Sequence, residues 1–147
     1  MSEFSAALAL NQLKRVEENL KIREEYWKIY DTSFKGLKEI TLPTVKQGIR
    51  HARHLYMILL NFEYLKCNRK IFMEALADKN VGSRIRFPCL HLQKYYKDKY
   101  NYKIGDLPIA EDISDRVVCL PFSAALSKKD IKYIVSSVVK TVRECKK

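Results

Sequence analysis

Met1-Ser2-Glu3-Phe4-Ser5-Ala6-Ala7-Leu8-Ala9-Leu10-Asn11-Gln12-Leu13-Lys14-Arg15 opens the chain and reads as the interior of a helix-forming segment. The reading extends through the first 35 residues. Leu13, Val16, Leu20, Trp27 and Phe34 recur at steps of three, four and seven, which keeps them on one stripe of an amphipathic helix. Glu17 precedes Lys21 by four and Glu24 precedes Lys28 by four, the favourable acid-first order for a solvent face. Gly36 is the expected stop. The stripe breaks at Arg23, which favours packing onto the helix's own domain over a coiled-coil dimer.

Beyond this helix the pattern alternates. Residues 37–50, with Pro43 and Gly48, read as a connector. His54-Leu55-Tyr56-Met57-Ile58-Leu59-Leu60 is a short β-suited apolar run, as a covered strand should be. Residues 68–80 return to helical spacing, with Asn68 as N-cap and Ile71, Phe72, Ala75 and Leu76 as the buried face. Ser83 to Phe87 alternates like a strand, and Pro88 to Tyr102 is irregular and rich in tyrosine. Ile109 to Asp115 reads as a short acidic helix and Val117-Val118-Cys119-Leu120 as a small strand. Ser127-Lys128-Lys129-Asp130 is a capping box that starts a last helix through Ile131, Ile134, Val135, Val138 and Val142. The order predicts an α+β fold: a long N-terminal helix, and a small, mostly antiparallel sheet of three to four strands with helices on one face. One domain, 1–147, is expected, with the helix at 1–35 and the sheet-and-helix layer at 51–147.

Composition narrows the function classes. Apolar residues at 47% and charged residues at 31% indicate a globular core rather than disorder. No run approaches a membrane span, and no basic stretch followed by an apolar one opens the chain, so a cytoplasmic location is expected. Cys67, Cys89, Cys119 and Cys145 form no C-x-x-C pair and read as reduced thiols. The net charge of +11 raises a polyanionic partner as an alternative, a basic module binding nucleic acid. The excess is spread over several elements without a nucleic-acid motif, so a generally basic surface is favoured.

Familiar catalytic signatures are missing. The four glycines, at 36, 48, 82 and 105, are too scattered for a phosphate-cradling loop, and no Gly-x-Ser-x-Gly is present. His51 and His54 stand three apart but lack a Cys or carboxylate at ligand spacing, so a metal site is not favoured. With Arg50 and Arg53 they read equally as a solvated polar edge.

Five partial motifs together carry a resemblance. Met1-Ser2-Glu3 with Ala6-Ala7-Leu8 and Gln12-Leu13 is one. His54-Leu55-Tyr56-Met57-Ile58 is the second, and Gly82 to His91 with Gln93-Lys94-Tyr95-Tyr96 the third. Leu107-Pro108-Ile109-Ala110-Glu111 and Leu120-Pro121-Phe122 complete the set. In this order they resemble the small C-terminal domain of the DegT/DnrJ/StrS family of pyridoxal-phosphate-dependent sugar aminotransferases, perosamine synthase-like enzymes of fold type I. Two departures stand out. Arg86 occupies the usual position of a histidine, and Pro88 sits one residue early.

The resemblance implies an origin in amino-sugar formation for surface polysaccharide, with a keto sugar nucleotide as substrate. It places Arg86, Phe87 and His91 at the mouth of the sugar-nucleotide pocket, where the planar fork of Arg86 suits a diphosphate. Ordinary packing or surface roles stay open for all three. In the full-length family, pyridoxal phosphate is held as a Schiff base by a lysine of the large N-terminal domain. The resemblance supplies no such lysine here, so this chain alone is expected to hold no cofactor and to be inactive. A separately encoded N-terminal domain is one implied partner. Self-association through the first helix, exposing Phe4, Leu8 and Leu10, is another.

Overall fold

The computed structural model describes all 147 residues. The opening helical stretch is two helices, α1 (Glu3–Lys14) and α2 (Val16–Phe34), joined at Arg15. Ser2 caps α1 by accepting the Ser5 N–H at 3.2 Å. At Arg15 the backbone turns to φ −103° and ψ 0°, away from the helical well, and its N–H tightens onto the Gln12 carbonyl. The expected buried stripe is corrected accordingly. Leu13 and Val16 are exposed, Leu20 is half-buried, and only the distal part of α2 enters the core through Tyr26, Trp27, Tyr30 and Phe34. The physical reason is that α1 runs past the sheet-and-helix layer, so none of its residues is buried.

The sheet has three antiparallel strands in the order β1 (Ile40–Thr41), β2 (Tyr56–Leu60) and β3 (Val117–Leu120). Ile40 pairs with Leu60, and Tyr56 and Ile58 pair with Leu120 and Val118. Tyr56, Ile58 and Leu60 alternate inward and are fully covered, while Met57 and Leu59 are half-buried on the other face. The expected strand at Ser83–Phe87 shrinks to a single bridge, Arg84 opposite Cys119. Pro88 has no N–H to offer a ladder, and the flanking Ile85 and Phe87 stay in solvent, leaving no buried row to hold a longer strand.

Helices α3 (Arg69–Ala77) and α6 (Lys128–Cys145) join α2 over one face of the sheet. Asn68 caps α3 as expected, accepting the Ile71 N–H at 3.0 Å. Phe72 and Leu76, one turn apart, define the buried face of α3. Ile71 lies about 100° round the helix from Phe72 and is half exposed, against expectation. Ser127 and Asp130 complete the capping box of α6, and Ile131, Ile134, Val138 and Val142 are all buried. Their β-branching, unfavourable for a helix, is outweighed by this packing.

The stretch read as irregular, 88–102, holds a 3₁₀ turn at Leu90–Leu92 and a short helix α4 (Lys94–Tyr100). Asn101 ends α4 in the left-handed conformation, φ +56°. The acidic helix α5 (Pro108–Arg116) leads directly into β3. Cys67, Cys119 and Cys145 are buried thiols and Cys89 is partly covered. Burial pushes the Cys67 thiol up to about 12, which makes it an unreactive one. No helix is long and apolar enough to cross a membrane.

Candidate functional site

A cavity of about 440 Å³ lies where the α1–α2 joint faces the loop after β3. Arg15, Asn19 and Arg23 line it from the helices, His54 from the approach to β2, and Arg86 from the segment bridged to β3. The stretch Phe122–Ala125 forms the opposite wall.

Aromatic residues of α2 hold that wall in place. Tyr30 donates its hydroxyl to the Pro121 carbonyl and Tyr26 to the Leu126 carbonyl, both at 2.7 Å, so the loop is tied at each end. Burial raises the Tyr30 phenol far above its ordinary value, which keeps it a donor. Phe122 sits between them, with ring centres 5.8 Å from Trp27 and 6.1 Å from Tyr56. Tyr56 in turn donates to Asp31 at 2.7 Å, and its phenol is raised by burial and then by that carboxylate.

Arg86 is placed by Arg84, two residues earlier. Arg84 and Cys119 exchange both main-chain hydrogen bonds, at 2.8 and 3.1 Å. Burial raises the Cys119 thiol, and the charges of Arg86 and Arg84 pull it back. Arg15, Arg23 and Arg86 have no carboxylate within 4.0 Å, unlike Arg50 and Arg116, which pair with Glu17 and Asp112. The one protein bond of the Arg23 side chain is from Nε to the Asn19 carbonyl at 3.2 Å. Nearby, Arg53 has left-handed backbone, φ +50°, and lays its guanidinium 4.5 Å from the Trp27 ring centre, with Nε and Nη1 shielded and without a partner. The result is a strongly positive recess suited to anions.

The three residues singled out in the sequence divide here. Arg86 lines the cavity. Phe87, next to it, is 66% exposed, with its ring 5.7 Å from the Arg86 guanidinium carbon. His91 is 5% exposed and lies in a different cluster, its Nε2 3.0 Å from Glu111 Oε1 and its ring edge-on to Tyr102. Glu111 also accepts the N–H groups of Gly105 and Leu107, and these bonds, led by that from Gly105, hold its carboxyl below the usual range. At φ +98°, Gly105 adopts the turn that this contact needs. Two separate motifs of the sequence, Leu90-His91 and Ala110-Glu111, thus form a single clasp on the loop 101–107.

A second cavity, about 910 Å³, is an open groove between α3 and residues 82–85, lined by Met73, Ala77 and Ile85 among others. The residues bordering the cavities do not fit pyridoxal phosphate. Lys70, the lysine that borders this groove, is 82% exposed and so is not a desolvated amine suited to a Schiff base.

Comparison with known proteins agrees with the fold and the motifs. An uncharacterized protein of Methanocaldococcus jannaschii, MJ1066, is 38% identical over 144 residues, covering 98% of this chain and 37% of that protein. The spore coat polysaccharide biosynthesis protein SpsC of Bacillus subtilis is 32% identical over 139 residues, covering 94% and 36%. Among solved structures, Helicobacter pylori PseC, an aminotransferase involved in pseudoaminic acid biosynthesis, superposes with a TM-score of 0.88 at 28% identity, over 98% of this chain and 38% of that one. The chain therefore spans little more than a third of the proteins it matches. The family profile matches residues 1–139, and the chain belongs to the DegT/DnrJ/EryC1/StrS aminotransferase family.

Proposed function

We propose that these 147 residues act as the small, substrate-side domain of a pyridoxal-phosphate-dependent aminotransferase working on keto sugar nucleotides, in amino-sugar formation for surface polysaccharide. The observation that carries this reading is the position of Arg86 and Phe87. A cation without a carboxylate partner lines a cavity, with an exposed ring beside it outside the lining, in a family of sugar aminotransferases. Arg86 would hold substrate phosphate and Phe87 would pack on the sugar side. His91 contributes through Glu111, by fixing the loop 101–107.

In this reading the Schiff-base lysine comes from a large domain outside these residues, in the same polypeptide or separately encoded, and the 147 residues alone do not transaminate. Two measurements test it. The isolated chain, incubated with pyridoxal phosphate and borohydride, should show no stoichiometric adduct at a single lysine; site-specific trapping would contradict the assignment. A chimera carrying this domain on the large domain of a full-length relative should aminate a keto sugar nucleotide. In that chimera Arg86→Ala should raise KM about tenfold or more. A folded, cofactor-loaded chimera without turnover would remove the reading.

A further inference from the structure

We propose that Cys67 and Cys145 are an oxidative modification site, joined to each other by reaction with a small-molecule disulfide, and that the bond fastens the C-terminal end of α6 to the segment between β2 and α3. It is independent of the sugar-nucleotide reading above.

Three observations carry it. The first is shared burial. The two thiols lie far apart in sequence, yet both are buried in one core, together with Leu65, Phe72 and Val142. The second is the main chain that holds them. Leu65 and Lys146 form an antiparallel bridge, the Lys66 N–H donates to the Cys145 carbonyl at 2.8 Å, and the Lys147 N–H donates to the Tyr64 carbonyl at 3.1 Å. Lys146 adds an ion pair with Glu39 at 2.9 Å. Cys67 thus follows directly on the residue that bonds to Cys145, and the two segments are stitched on both sides of that bond. The third is the proximity of the thiols themselves: after burial, the Cys145 side chain is the largest influence raising the Cys67 thiol. Cys89 and Cys119 are placed differently. Cys89 donates its thiol to the Ala110 carbonyl at 3.2 Å, and the charged groups that act on the Cys119 thiol are Arg86 and Arg84.

The exchange takes two steps. Cys67 is a poor opening nucleophile while it keeps its proton, so the first attack falls to Cys145, the last residue of α6, where a helix end opens most readily. Its thiolate bonds to one sulfur of the reagent and expels the other as a thiolate, which takes up the proton that Cys145 has lost. Cys67 then attacks the Cys145 sulfur of the mixed disulfide, and its proton passes to the second leaving thiolate. The two cysteines lose two electrons, and the reagent, split into two thiols, gains them. The new bond closes a loop of about 80 residues, which restricts the unfolded chain far more than the folded one.

The experiment treats the folded 147-residue chain with excess oxidised glutathione, blocks residual thiols with N-ethylmaleimide and digests with trypsin. Cleavage after Lys66, Arg69, Arg143 and Lys146 leaves residues 67–69 and 144–146 joined as one peptide, which dithiothreitol should abolish. In Cys89→Ser/Cys119→Ser the same link should form, leaving the intact chain lighter by two hydrogens with no retained glutathione. Tm should rise by roughly 10 °C on oxidation and return on reduction. Adding Cys67→Ser to that background should leave one glutathione on Cys145 and remove the rise. Should the covered thiols exclude the reagent, refolding from guanidinium chloride in a glutathione redox buffer is expected to form the 67–145 link in preference to other pairings. Absence of the link after both treatments, or pairing in the parent that favours Cys89 or Cys119, overturns the site. A link that forms but lowers Tm overturns the fastening of α6.

Discussion

Trp27 is the residue on which the core and the cavity wall both depend, and Trp27→Ala measures how much. It is 4% exposed, and its ring makes edge contacts with Tyr56 at 4.7 Å and Phe122 at 5.8 Å while Arg53 stacks at 4.5 Å. Truncating a buried tryptophan to alanine costs about 3–5 kcal/mol, a range that includes the cavity left behind. The cation stacking on Trp27 adds about 0.5–1 kcal/mol. A total near 4 kcal/mol is expected. For a domain of this size about 1 kcal/mol moves Tm by roughly 2–4 °C, so Tm should fall by about 8–16 °C. Trp27 is the sole tryptophan. Unfolding is therefore followed by far-UV circular dichroism in both proteins, with fluorescence as a second probe of the parent. Trp27→Phe keeps a ring against Tyr56 and should recover at least half the loss. A fall of less than about 4 °C for Trp27→Ala would refute the idea that this ring joins α2 to the sheet.

Three further expectations can be checked with ordinary variants. Val138→Asp places an unpaired carboxylate at a fully covered position of α6 and should cost about 3 kcal/mol or more in denaturant unfolding; a variant that unfolds with the parent would show the wrong helix face has been assigned. The Glu111 carboxyl is held below its ordinary value, so its contribution is complete above the unfolded-state pKa and fades as pH falls through the folded-state value. Melting curves of the parent and Glu111→Gln should accordingly differ at neutral pH and converge on acidification, and a pH-independent gap between them would contradict the clasp. Phe4, Leu8 and Leu10 on α1 are 62–92% exposed, and sedimentation should show association that Phe4→Ser/Leu8→Ser abolishes; a parent already monomeric at high concentration would end that expectation.

The parts of the fold that could be read directly are those with local chemistry. The caps at Asn68 and Ser127 mark α3 and α6 because their side chains satisfy main-chain N–H groups within three residues. The apolar run of β2 and the valines of β3 likewise announce covered strands. What escaped depends on distant partners. Leu13 and Val16 follow a helical period faithfully, yet a period names a face without naming what covers it. β1 is two residues long and exists by virtue of its pairing with Leu59 and Leu60. The short α4 did leave a signal: Lys94 four residues before Asp98, and Asn101 as a left-handed stop. At the site, Arg86 was legible from its motif. Arg15, Arg23 and His54 joined it through tertiary folding alone, and His91 turned inward because Glu111, twenty residues on, receives it.

The bridge between Arg84 and Cys119 has a consequence for solubility. Val117 to Leu120 is uncharged and apolar, with two β-branched valines, and at the outer side of the sheet it would offer open N–H and C=O groups to any passing chain. Arg84 occupies the main-chain groups of Cys119 halfway along that strand, and the arginine charges at 84 and 86 repel a second copy approaching in register. A lone bridged residue thereby performs the guarding that a fourth strand would provide in a wider sheet. Conditions that detach residues 82–87 while leaving the sheet folded would turn the most strand-like tetrapeptide of the chain into a template for edge-to-edge aggregation.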